Sequence, residues 1–105
     1  MTAPADAVFA ALASPVRREV LRLLLEGPRP VHELAEHFEM RRPSLSEHLR
    51  VLRQAGLVSE RKDGRLRYYS LQAEPLREVS QWLTPYERFW RERLTRLRDL
   101  LDEED

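Results

Sequence analysis

Beyond Gly56 the hydrophobic period of this 105-residue chain changes. Before it, apolar residues recur at three- and four-residue steps, the spacing of a helix face. After it they alternate, the spacing of a strand. The last helix before the change lies in RPSLSEHLRVLRQAGLV (42–58). There Leu45, Leu49 and Leu52 mark one face, while Ser46, Arg50, Arg53 and Gln54 dress another. Any surface helix carries such a polar side, so its meaning rests on the neighbouring elements.

Those neighbours are ordered. PADAVFAALA (4–13) predicts a short helix with Val8, Phe9 and Leu12 on one side. Ser14-Pro15 restarts the chain as an N-cap followed by proline at the first helical position. A second helix then runs to about Glu26, with Val16, Val20, Leu21, Leu23 and Leu24 as its stripe, and Gly27-Pro28 stops it. VHELAEHF (31–38) predicts a third, and 42–56 a fourth. LVSERKDGRLRYYSL (57–71) predicts two strands around the tight-turn dipeptide Asp63-Gly64. Tyr69 and Leu71 share one face of the second strand; Leu66, Tyr68 and Ser70 share the other. A last helix from Leu76 to Leu101, broken near Pro85, precedes an acidic DEED tail expected to fray. The expected fold is mainly α with a small β-hairpin, in the order ααααββα, as a single domain over residues 1–105.

Composition excludes several chemistries. Without cysteine there are no disulfides, thiolate metal sites or thiol nucleophiles, which fits a reducing cytoplasm. The N-terminal apolar run lacks a leading basic segment and is too short for a signal peptide or a membrane span. No serine or carboxylate has an evident base partner, so an enzyme is not expected. The formal net charge is zero but unevenly spread. From Arg41 to Arg67 eight basic residues face three acids, a net +5; from Gln72 to Asp105 six arginines face nine acids, a net −3. Such segregation suits one surface that meets a polyanion and another that does not.

Two short helices about three residues apart, followed by a hairpin, form the winged helix-turn-helix arrangement. Its second helix enters the DNA major groove. Here the helix-turn-helix spans about 31–56 and the wing about 57–71. The leucines anchor the fourth helix and leave Pro43, Ser46, Glu47 and Arg50 outward. Ser44 and Ser46 near its N-terminus suit phosphates or bases, and Arg42 and Arg50 suit phosphates or guanine. Glu47 suits either a cytosine amino group or an ion pair with Arg50. The basic loop of Arg61, Lys62, Arg65 and Arg67 supplies a second contact to the backbone or a minor groove.

SLSEHLRVLRQAGLV, followed by R-x-x-G-R and Y-x-L, resembles the ArsR-type winged-helix transcriptional regulators of bacteria. ALASPVRREVLRLLLEGPRPVHELA is similar to that family's early helices, so the likeness covers about residues 5–71. It implies that Arg42, Ser44, Ser46, Glu47, His48 and Arg50 face DNA, with Arg65 and Arg67 on the wing. It also implies a homodimer joined by the first and last helices, at Val8, Phe9, Leu12, Trp82, Phe89, Trp90, Leu94, Leu97 and Leu101. WLTPYERFWRERLTRLRDLL is similar to a subgroup with a tryptophan-rich last helix. Two departures stand out. Pro30 and Arg41 replace the usual Ser or Thr caps, Arg41 being placed to offset the loss by binding phosphate. Metal-sensing members carry cysteines in the third helix, where this chain has Pro30 and His32, or histidine and acidic ligands in the last one. No histidine follows residue 48, so no metal or other cofactor is expected.

The remaining candidates divide. HELAEH is not a zinc-protease helix, because His32 and His37 are five apart, about 140° round the helix. His48 reads equally as a half-buried structural group or a phosphate contact. Trp82, Phe89 and Trp90 either line a ligand pocket or form core and dimer seam, and the seam is favoured. The resulting expectation is a homodimeric, cytoplasmic repressor on an inverted-repeat operator. The alternatives are a protein-interaction winged helix and a repressor that answers to a small molecule.

Overall fold

A computed structural model describes residues 3–103. Its elements run α1 (Ala3–Leu12), α2 (Pro15–Leu24), β1 (Arg29–Pro30), α3 (Val31–Ala35), α4 (Arg42–Gln54), β2 (Val58–Asp63), β3 (Leu66–Leu71) and α5 (Leu76–Glu103). The chain is mainly helical with a small antiparallel sheet, a winged helix-turn-helix.

The helix ends follow their local chemistry. Ser14 caps α2, its hydroxyl accepting the Arg17 N–H at 3.3 Å, with Pro15 next in line. At the other end of the helix-turn-helix, Gly56 takes φ +78°. Its N–H reaches the Arg53 carbonyl and the Leu57 N–H reaches Leu52, both at 3.0 Å. That paired closure needs a left-handed residue, and glycine reaches it without a Cβ clash.

The stripes converge on one core. Leu45, Leu49 and Leu52 of α4 are no more than 1% exposed. They pack with Val8, Ala11, Val20, Leu21, Leu23, Leu24, Leu34, Leu57, Val58 and Tyr69. At about 1.5–3 kcal/mol for each fully buried large aliphatic side chain, the three α4 leucines are the main anchor of that helix.

Four details differ from expectation. The sheet has three strands, ordered β1-β3-β2, with Arg29 opposite Tyr69 and Pro30 opposite Tyr68. Proline is tolerated there because β1 is an edge strand. α3 ends at Ala35 rather than Phe38: the N–H groups of His37 and Phe38 bond the carbonyls of Leu34 and Ala35, a tighter three-residue spacing. Phe38 still packs against the core. In the wing, Asp63 pairs with Leu66, so the turn residues are Gly64-Arg65 rather than Asp63-Gly64. With φ +64° at Gly64 and no positive φ at Arg65, this fits the hairpin turn that takes glycine first.

The fourth concerns α5, which runs unbroken through Pro85. Proline withholds one N–H from this turn, but the turn is exposed, so the freed carbonyl is open to solvent. The Thr84 hydroxyl also returns to the Ser80 carbonyl at 3.0 Å. The tail expected to fray is helical as far as Glu103, and residues 104 and 105 lie outside the described range. Only the first turns of α5 pack on the core, through Leu76 and Val79.

Candidate nucleic-acid interface

α4 starts at Arg41 without a side-chain cap, and the Arg41 carbonyl accepts the N–H groups of Ser44 and Leu45 at 3.0 and 3.2 Å. Pro43 in the first turn removes one of the orphan N–H donors, so less capping is needed. Arg42, Ser46, Arg50 and Arg53 fall at i, i+4, i+8 and i+11, a single stripe beside the leucine face.

That stripe forms one wall of a groove of about 440 Å³ between α4 and the wing. Arg65, Arg67 and Tyr69 come from the wing side, and Val31 and His32 from α3. Five guanidinium groups therefore converge on one concavity. Among the described residues, Arg42 and Arg65 have no ion-pair partner.

The other three arginines are held. Arg50 grips Glu47 with two hydrogen bonds, Nε to Oε2 at 2.9 Å and Nη2 to Oε1. The Arg50 guanidinium holds the Glu47 carboxyl below its usual range. Both groups are exposed, so the pair contributes little to stability and is free to exchange for a phosphate or base. Arg53 and Arg67 share Glu60 instead, with Nη1 groups 3.1 and 3.9 Å from its Oε2. The Tyr69 hydroxyl donates to the same oxygen at 2.7 Å. Burial first, and this carboxylate second, push the Tyr69 phenol up to about 12.

Other residues singled out in the sequence sit as follows. Arg41 and Ser44 are exposed at the start of α4, off the groove wall. Lys62 lies opposite Arg67 in the hairpin and so shares its face, whereas Arg61 is opposite Tyr68 and stacks on that ring at 5.8 Å. His48 is half-buried, its Nδ1 3.2 Å from Arg17 Nη1. Val8 is a correction: it is 1% exposed within the chain's own core and offers nothing to a second copy. Leu12 is half-buried. Phe9 sets its edge against Trp82, centroids 6.1 Å apart at 71°. Trp82, Phe89, Trp90, Leu94, Leu97 and Leu101 are each more than half exposed.

Arg17, Glu60 and Tyr69 were not among the expected site residues, nor was Arg53. Arg53 shares the stripe of Arg42, Ser46 and Arg50, so helical spacing alone would have found it. Glu60 and Tyr69 required the register that sets them opposite each other.

Residues 14–60 match the family model described as "Bacterial regulatory protein, arsR family". The chain is 38% identical to the HTH-type transcriptional regulator Rv2034 of Mycobacterium tuberculosis over 94% of its own length and 90% of that protein. The chain belongs to the ArsR family. It is also 40% identical to the transcriptional repressor SdpR of Bacillus subtilis, over 72% of this chain and 84% of that one. A crystallised ArsR family transcriptional regulator superposes with a TM-score of 0.77 at 36% identity, covering 87% of this chain and 94% of its own. NolR from Sinorhizobium fredii gives 0.65 at 29% identity, over 81% and 86%. As an ArsR-family member, the protein is a DNA-binding transcriptional regulator.

Proposed function

We propose that the protein is a homodimeric repressor that grips an inverted-repeat operator, each copy inserting α4 into a major groove and laying its wing on the flank. The observation that carries this reading is the five-arginine groove between α4 and the wing. Arg42, Ser46 and Arg50 reach the duplex from α4. Ser44, Glu47 and Arg41 approach it at the N-terminal end, and Lys62, Arg65 and Arg67 meet phosphates. Two such helices related by a two-fold axis would enter successive major grooves about 34–36 Å apart, which explains an inverted repeat. Repression follows from occupying a promoter, the activity named for the SdpR relative. Such a target places the protein in the cytoplasm, and no described helix is long and apolar enough to cross a membrane.

The test is selection of bound fragments from genomic DNA, followed by two variants. Arg50→Ala is expected to lower affinity for the selected site about tenfold or more and to blunt its sequence preference. Arg65→Ala is expected to weaken all duplexes evenly and to reduce the salt slope by about one. A protein-interaction module would enrich no inverted repeat, and neither substitution would change its binding to DNA.

A further inference from the structure

Arg17 stands 31 positions before His48, and its side chain reaches two elements besides its own. It belongs to the first turn of α2. Its Nε donates to the Ala11 carbonyl at 2.7 Å and its Nη2 to Ala10 at 3.0 Å, both at the C-terminal end of α1. The remaining arm, Nη1, lies 3.2 Å from His48 Nδ1 on α4. A guanidinium only donates, so His48 must accept at Nδ1 and carry its proton on Nε2. The carbonyls at the end of α1 also favour a cation there.

We infer that Arg17 is the positioning residue of the recognition helix, a clamp that sets the angle of α4 from the end of α1. The inference deepens the proposed function and rests on its dimeric reading. α1 carries Phe9 against Trp82 of α5, so it is seated on the helix proposed as the dimer seam. The distance between two recognition helices is then passed from the seam through α1 and Arg17 to His48. The leucine face alone fixes how deeply α4 is buried. It resists rotation about the contact less well, because apolar packing is not directional. A three-armed polar clamp supplies that direction. His48 thus acts on DNA through the placement of its helix.

Two measurements test the clamp. The first is the ¹⁵N spectrum of the histidine rings in the free, full-length protein, which is independent of DNA. The expected result is an unprotonated, accepting Nδ1 at His48, lost as a single tautomer in Arg17→Gln. A protonated Nδ1, or a spectrum indifferent to Arg17→Gln, would overturn the inference. The second compares affinity for the selected operator with affinity for the same half-sites one base pair further apart. Arg17→Gln and His48→Ala are each expected to reduce that spacing discrimination about tenfold, and the double variant no more than either. His48→Asn, whose Oδ1 falls near the Nδ1 position, should recover most of what His48→Ala loses. A purely structural role would lower both affinities together and leave their ratio intact, which would also overturn it. Wild-type protein with no spacing preference would sink the dimeric reading instead, and the ring spectrum would still decide the clamp.

Discussion

One carboxylate oxygen of Glu60 serves Arg53, Arg67 and Tyr69, and it ties the wing to α4. It also places a negative charge beside the groove proposed for phosphates. Glu60→Gln would keep an acceptor for the Tyr69 hydroxyl while removing that charge. Affinity for a random duplex is therefore expected to rise severalfold, and the slope of log affinity on log salt to steepen by about one. Anisotropy titrations across a salt series read both quantities, and an unchanged slope would show that Glu60 does not act on the duplex. Tyr69 gives a second handle. Its phenol is raised from 10.0 to about 12, so folding favours the neutral form. That stability is fully present below pH 10 and is lost as pH rises through 12, at most about 2–3 kcal/mol. Tyr69→Phe should cost about 1 kcal/mol at pH 8 through the lost hydrogen bond. It should also flatten the decline between pH 10 and 12 in urea unfolding. At this scale the leucines of α4 were legible, because local spacing alone assigns them to a face. The partners of Glu60 and Arg17 were not, since those pairings depend on strand register and on contacts between distant segments.

The elements show the same division. The change of period at Gly56 is visible in sequence because the residue closes one helix and opens a strand. Gly56→Ala tests that junction. A Cβ there would meet Pro75 Cγ at 3.6 Å, an ordinary contact, so any cost comes from the backbone at φ +78°. The expected loss is about 1–2 kcal/mol in denaturant unfolding, with little change in the m-value. An undiminished midpoint would mean that the left-handed turn is not what joins α4 to the wing. β1 was illegible because two residues carry no periodicity, and its Arg-Pro composition reads as a stop signal. The continuity of α5 was illegible for a different reason. Proline's cost in a helix depends on whether the freed carbonyl meets solvent, which local sequence does not state. The wing turn moved by one position because Asp63-Gly64 and Gly64-Arg65 both place glycine where a hairpin accepts it.

At the scale of the whole molecule, α5 raises the largest unresolved demand. It is 28 residues long, about 42 Å of helix, and none of its residues is buried. Trp82, Tyr86, Phe89, Trp90, Leu94, Leu97, Leu100 and Leu101 are 49–61% exposed. So long a run of exposed aromatic and leucine side chains exceeds what a lone soluble chain ordinarily leaves in water. In the proposed dimer, pairing α1 and α5 with their copies in a second protomer would cover it by two-fold symmetry. Phe9, already against Trp82, would extend the seam onto α1. The charge pattern agrees with this division: the cationic excess of residues 41–67 lies on α4 and the wing, while α5, with six arginines and six acids, is balanced. Sedimentation is expected to give a dimer at micromolar concentration, with tryptophan emission shifting to the red on dilution. Trp90→Glu should yield a monomer that keeps its helical content, because that side chain contributes nothing to the chain's own core. The monomer should still bind a single half-site weakly through Arg42 and Arg65, and lose the inverted repeat. A wild-type protein that sediments as a monomer under these conditions would leave the aromatic face of α5 without its proposed partner.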